Sequence, residues 1–149
     1  MMAREYRLGV TRKAANVVVK ALLERGIPIV GSTGWLLTTR GRKSGADRTT
    51  PVNVLEVGGV RWLVSPYGQV GWVHNLRADP TARLWRGRTR ETWEVEAADA
   101  ATAGPVLRAY VRKIPVTAPF FDAKLSDPPE AFAAEADRHP VFRLARSRA

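Results

Sequence analysis

An antiparallel β-barrel carrying helices at its two ends is the fold class this sequence predicts. Three observations lead there. Short apolar runs of strand length recur between residues 35 and 96, joined by turns as tight as Gly58-Gly59. Helical periodicities lie on either side of that stretch. The chain has 149 residues, 45% hydrophobic and 26% charged, which is enough for one buried core and suits a single domain.

The first element, from about Glu5 to Arg25, is an amphipathic helix. Val10, Ala14, Val17, Val18, Ala21 and Leu22 share one face, and Arg12, Lys13, Asn16 and Lys20 the other. Gly26 offers a left-handed C-terminal residue and Pro28 blocks continuation. Residues 1–30 are therefore set apart from a barrel domain over 31–149. Strands follow at Trp35–Thr39, Thr49–Val57 and Val60–Ser65, with Pro51 expected at an edge or a strand's beginning. A short helix over Trp72–Arg77 stops at Asp79-Pro80. Thr81–Arg86 and Thr89–Glu96 form a second hairpin across Gly87.

Helical signals then resume. Asp99 or Thr102 caps a helix with Pro105 in its first turn and an apolar stripe of Leu107, Tyr110, Val111 and Ile114. Pro115 to Pro119 breaks it. Asp127-Pro128-Pro129-Glu130 reads as a capping box opening a small helix to about Asp137, and Val141–Leu144 is a last strand.

Composition narrows the chemistry. The absence of cysteine removes disulfides, thiolate metal sites and cysteine nucleophiles, and two histidines are too few for an all-histidine metal site; no metal is expected. Gly26–Thr39, a long charge-free stretch, is too short to span a bilayer. Arg4, Glu5 and Arg7 interrupt any signal-peptide pattern, so a cytoplasmic chain is expected. Gly41-Arg42-Lys43-Ser44 lacks the glycine that a Walker loop places before its lysine, and neither G-x-G-x-x-G nor G-x-S-x-G occurs. If the chain is an enzyme, a cofactor carries the hard chemistry.

The net charge of +10 is lopsided: sixteen Lys/Arg stand against five Asp/Glu up to Arg90, and eight against nine from Glu91 onward. The excess peaks where Arg40, Arg42, Lys43 and Arg48 crowd one strand connection around a single acid, Asp47. Their self-repulsion is relieved by a bound anion, with Ser44 and the Thr38 and Thr39 hydroxyls at hand. The glycines Gly41 and Gly45 would let main-chain N–H groups turn inward toward it. A basic loop left in water is the competing reading.

The residues Leu36-Leu37-Thr38-Thr39-Arg40-Gly41-Arg42-Lys43-Ser44-Gly45, with Arg48 and Pro51, resemble the signature of the deazaflavin-dependent nitroreductase and quinone reductase family. Trp72-Val73-His74-Asn75-Leu76-Arg77-Ala78-Asp79-Pro80 is similar to its W-x-x-N-L-x-A-x-P stretch, and Pro140-Val141-Phe142 to its ending. The likeness implies a split β-barrel, mainly β within an α+β chain, that uses coenzyme F420 to deliver a hydride to a quinone, nitro compound or activated alkene. It implies that Thr39, Arg42, Lys43, Ser44, Gly45, Arg48 and Pro51 hold the phosphate and glutamate tail. Ser65, Pro66, Tyr67, Gly68, Trp72, Asn75 and Leu76 would lie along the ring. Asn75 is either a polar anchor or a helix cap, Trp72 either a platform or core, and His74 faces solvent in one of two readings. Ser65, Tyr67 and Tyr110 are candidate proton donors. Tyr110, Phe120 and Phe121 either cover the substrate or pack helix on barrel. The chain departs from the family in its short Pro66–Gly71 loop and in Ile114–Phe121, which replaces a tyrosine-rich lid.

Three other readings compete. One is a lipid or fatty-acid binder without redox activity that reaches a membrane surface through residues 5–25. Another is a reductase that uses FMN on the same barrel. Nucleic-acid binding is the third; its sequence-specific form is not expected, because Trp35, Trp62, Trp85 and Trp93 fall in strand-like apolar runs. The resemblance allows a homodimer; a charged first helix would oppose it.

Overall fold

The computed structural model describes residues 33–148. The helix expected over Glu5–Arg25, its membrane contact and the boundary at residue 30 lie outside the described residues. Six strands, β1 (Gly34–Arg40), β2 (Asp47–Val57), β3 (Val60–Val64), β4 (Thr81–Arg86), β5 (Thr89–Ala97) and β6 (Val141–Arg148), close into a barrel in the order β1-β2-β3-β6-β5-β4. Every pairing is antiparallel, and β4 returns to β1 to complete the ring. The expected antiparallel barrel is thus the observed one. Gly58 (φ 60°) and Gly59 (φ 79°) supply the two left-handed residues that the β2–β3 turn needs.

Between β3 and β4 runs α1 (Gly71–Ala78); between β5 and β6 run α2 (Ala100–Lys113), a 3-10 stretch Pro115–Phe120, α3 (Pro129–Ala133) and a 3-10 turn Ala136–Arg138. Strand alternation sorts the apolar residues into two layers. Leu37, Val54, Leu63, Leu84, Val95 and Phe142 fill the barrel, plugged by Val73 and Leu76 of α1. Leu55, Trp62, Val64 and Val141 face the opposite way and take Leu107, Tyr110, Phe121 and Phe132 of the covering layer.

The α2–α3 crossing is tight. A Cβ at Gly104 would meet Pro129 O at 2.6 Å and the Ala133 Cβ at 3.0 Å, and the carbonyl is backbone that cannot swing aside. Gly104→Ala is expected to destabilise the fold by about 1–3 kcal/mol despite the better helix propensity of alanine; a thermal melt reads it as a fall in Tm.

Two elements, β6 and the segment at Asp127, differ from expectation. Pro51 lies within β2, opposite Leu36 on β1, on a stretch with no β3 partner, which is the edge position expected for it. It is tolerated because β2 pairs with β3 only over Val54–Val57, so no β3 ladder bond is lost there. Strand β6 runs on to Arg148, because Arg143 and Arg148 point outward to Glu96 (2.7 Å) and Glu94 (3.5 Å). The capping box at Asp127 does not form. Both halves of Asp127 are engaged on Lys124 instead: its carboxylate accepts from Lys124 N at 2.8 Å, and its own N–H, which Glu130 would have to reach, donates to Lys124 O at 2.8 Å. Pro128 takes the N-cap position and α3 ends at Ala133. By contrast Asp99 caps α2 as expected, accepting from Thr102 N at 2.8 Å; that bond holds its carboxyl below the usual range.

Candidate functional site

Where β2 runs past its last β3 partner the barrel opens, and a cavity of about 560 Å³ occupies the gap. Its walls come from the β1–β2 loop, the middle of β2, the β3–α1 connection, α1 and the Tyr110 turn of α2. Of the residues singled out above, Thr39, Arg42, Lys43, Ser44, Arg48, Pro51, Ser65, Pro66, Tyr67, Trp72, Asn75 and Tyr110 line it. Segments up to 71 residues apart in sequence thus converge on one volume, whose size suits a flat organic ligand.

One end is cationic. Asp47, the acid that opens β2 beside this loop, forms a two-pronged pair with Arg83 of β4 (2.6 and 3.1 Å). The Arg83 hydrogen bond holds the Asp47 carboxyl below its usual range. Among the described residues no acid pairs with Arg42, Lys43 or Arg48, so no described carboxylate compensates their charge. The glycines do not act as expected. Gly41 N donates to Ala46 O and Gly45 N to Gly41 O, both at 2.8 Å, so these amides close the loop on itself. Gly45 stands outside the cavity lining at φ 74°, and its value is conformational.

Asn75 is not the N-cap of α1, a position that Val70 holds. It is buried in mid-helix, and its Oδ1 accepts from Arg42 twice: the main-chain N–H at 3.3 Å and Nη1 at 3.0 Å. Its Nδ2 donates to Thr39 Oγ1 at 3.1 Å. Asn75 therefore sets the Arg42 guanidinium at the cavity's cationic end. Asn75→Ala is expected to cost about 1–3 kcal/mol of stability, since it takes the partner from the buried Thr39 hydroxyl and from the Arg42 N–H groups, and to weaken anionic-ligand binding by roughly fivefold. A melt and a titration with inorganic phosphate or coenzyme check both.

The other end is apolar and hydroxylic. Trp72 packs on Phe142 (6.1 Å), the core alternative, and it also lines the cavity. Ser65 Oγ donates to Gly68 O at 2.6 Å, which commits its proton to shaping the loop. Tyr67 lines the wall and meets Phe120 edge-on at 4.9 Å. Tyr110 is 2% exposed, and burial pushes its hydroxyl well above the ordinary tyrosine value, so it stays protonated. Asn53 Nδ2 donates to Tyr110 Oη at 3.4 Å, while Asn53 Oδ1 accepts from Thr33 Oγ1 at 2.9 Å. This polarity leaves the Tyr110 proton to point elsewhere, and the cavity is beside it.

Gly68, Leu76, Phe120 and Phe121 do not line the cavity. Leu76 is barrel core, and Gly68 supplies the loop's left-handed turn at φ 93°. Phe121 is buried against Phe132 and stacked on His139 at 3.9 Å, which is the helix-on-barrel alternative. Asn53, Thr50 and Val52 are lining residues the sequence reading missed. A lone Asn among strand residues gives no signal of its own.

The family model for F420H(2)-dependent quinone reductase matches residues 7–122. Solved structures share the fold. An F420-H2 dependent reductase, FDR-A, is 22% identical with a TM-score of 0.53, over 76% of this chain and 95% of that one. A NimC/NimA family protein from Clostridium acetobutylicum is 17% identical, TM-score 0.54, over 91% and 82%. A domain-swapped dimer is 20% identical, TM-score 0.54, over 92% and 100%. No curated protein matches the chain.

Proposed function

The chain belongs to the F420H2-dependent quinone reductase family, and from that premise we propose that it reduces a small electron-poor acceptor, a quinone, nitro compound or activated alkene, at the cavity beside β2. The observation that carries the proposal is the cavity's division into an uncompensated cationic end and an apolar, hydroxyl-lined end. Coenzyme F420 has the same two-part chemistry, a phosphate and glutamate tail on a flat ring. The residues fit it: Arg42, Lys43 and Arg48 would pair with the anionic part, with Ser44 and Thr39 as hydroxyl partners, and Trp72, Pro66 and Tyr67 would flank the ring. When bound in its reduced form the coenzyme supplies a hydride.

This chain's own residues bind, orient and exclude water. Asn75 holds Arg42 in place, so the cation is positioned before the ligand arrives. Tyr110, kept protonated by burial and oriented by Asn53, offers a hydrogen bond to an acceptor oxygen on which charge builds. Tyr67 remains a second candidate donor. FMN, with one phosphate, would leave much of the cation cluster unpaired, and the family match favours F420. A homodimer belongs to this reading as well, and one structure of similar fold is a domain-swapped dimer. Among the described residues no helix is long and apolar enough to cross a membrane.

The test is oxidation of reduced F420 by menadione, followed by the coenzyme's absorbance. Tyr110→Phe removes one hydroxyl and little volume. It is expected to lower kcat about tenfold or more with coenzyme affinity unchanged, the signature of a bond made chiefly in the transition state. An unaltered kcat would take Tyr110 out of the chemistry.

A further inference from the structure

We propose that His139 is a positioning residue for the cavity, bracing the Pro66–Tyr67 wall against the covering layer, and that it does so fully only when both ring nitrogens carry protons. His139 and Glu135 are each 3% exposed. The two ring nitrogens both face acceptors: Nδ1 lies 3.0 Å from Pro66 O, and Nε2 lies 2.9 Å from Glu135 Oε1. A carbonyl oxygen cannot donate. A ring with one proton therefore satisfies one side only, and a ring with two satisfies both.

The groups facing the ring are few. Glu135 accepts amide N–H from Asp122 (3.1 Å) and Ala123 (2.8 Å), and Arg138 lies 3.9 Å from its Oε1. Arg138 in turn pairs with Asp122 at 3.0 Å. Phe121 stacks on the imidazole, a face that suits a cation. Burial pulls His139 below its ordinary value of 6.5, opposed by Glu135 and by the Pro66 carbonyl. At neutral pH the single proton goes to the carboxylate, the stronger acceptor, and Pro66 is the side released. On acidification Nδ1 gains a proton and ties Pro66 down. The consequence reaches the site because Pro66 and Tyr67 line the cavity and Tyr67 rests on Phe120. Other ties of the wall, Ser65 N to Pro140 O (2.9 Å) and Gln69 Nε2 to Asp137 O (2.8 Å), do not titrate.

This rests on the coenzyme reading only for its effect on affinity, so two measurements separate them. In the ligand-free full chain, ¹⁵N NMR from about pH 4.5 to 8 should show His139 Nδ1 taking up a proton with a midpoint below 6.5, and the Tyr67 and Gly68 amides moving with the same midpoint. A ring that does not titrate, or titrates with those amides still, overturns the proposal whether or not F420 binds. F420 affinity of the wild type relative to His139→Gln, in which the coenzyme's own ionisations cancel, should improve about fivefold on the acid side, the worth of one hydrogen bond. A flat ratio overturns it. If His139→Gln fails to fold, Glu135→Gln serves: with the carboxylate gone the single proton passes to Pro66, so neutral-pH affinity should rise to the wild type's acid value. An unchanged affinity there overturns the proposal.

Discussion

The double variant Arg42→Ala/Lys43→Ala is expected to bind F420 roughly 100-fold more weakly than the parent at low salt, with its Tm little changed. Charge-assisted hydrogen bonds contribute about 1.5–3 kcal/mol each, and both side chains are exposed, so the low end applies: about 1.4 kcal/mol, or tenfold, per residue. The fold should tolerate the change because neither cation has an acid partner among the described residues and the loop is closed by its own main chain. Arg83→Ala is the control. It breaks the pair with Asp47 and leaves that carboxylate free to compensate the cluster, so affinity should fall more modestly. Raising salt should erode the parent's advantage over the double variant. Isothermal titration at two salt concentrations reads all three effects.

Phe132→Ala is expected to lose about 3–5 kcal/mol of stability, a large fraction of the 5–15 kcal/mol that holds a typical domain. Phe132 is fully buried on the five-residue helix α3 and packs on Phe121. Such a short helix has little stability of its own, so the covering layer depends on this ring to hold α3 down. Two gains from the layer should fail together, Tyr110's burial and the seat of Glu135 and His139. Chemical denaturation measures the loss; a change below about 1 kcal/mol would mean that α3 is dispensable.

The barrel was legible where physics is local. Gly58-Gly59 dictates a hairpin, and strands such as Thr81–Arg86 alternate with period two, so they appear at the residues expected. The cationic loop was legible as a density of charge. What anchors it was not. Asn75 contacts Arg42 from 33 residues away, and nothing near Asn75 separates that role from a helix cap. The covering layer was read least well. Asp127 followed by two prolines and Glu130 imitates a capping box, and the turn that defeats it, in which Asp127 gives both its carboxylate and its N–H to Lys124, has no signal in the sequence. Glu135 and His139 stand one helical turn apart, but their shared function depends on Pro66, 73 residues from His139. Phe121 stayed open between covering the substrate and packing helix on barrel because chain order places it near a lid without giving its direction, which is set by the His139 ring it stacks on.

The central claim is that the cations past β1 hold the charged part of a deazaflavin whose ring lies in the cavity beside β2. Parallel titration of the full chain with F420, with a deazaflavin stripped of phosphate and glutamates, and with FMN tests it most directly. F420 should bind the tightest of the three, with a salt dependence that disappears for the stripped ring. Equal affinity for the intact and stripped molecules, or a preference for FMN, would contradict it.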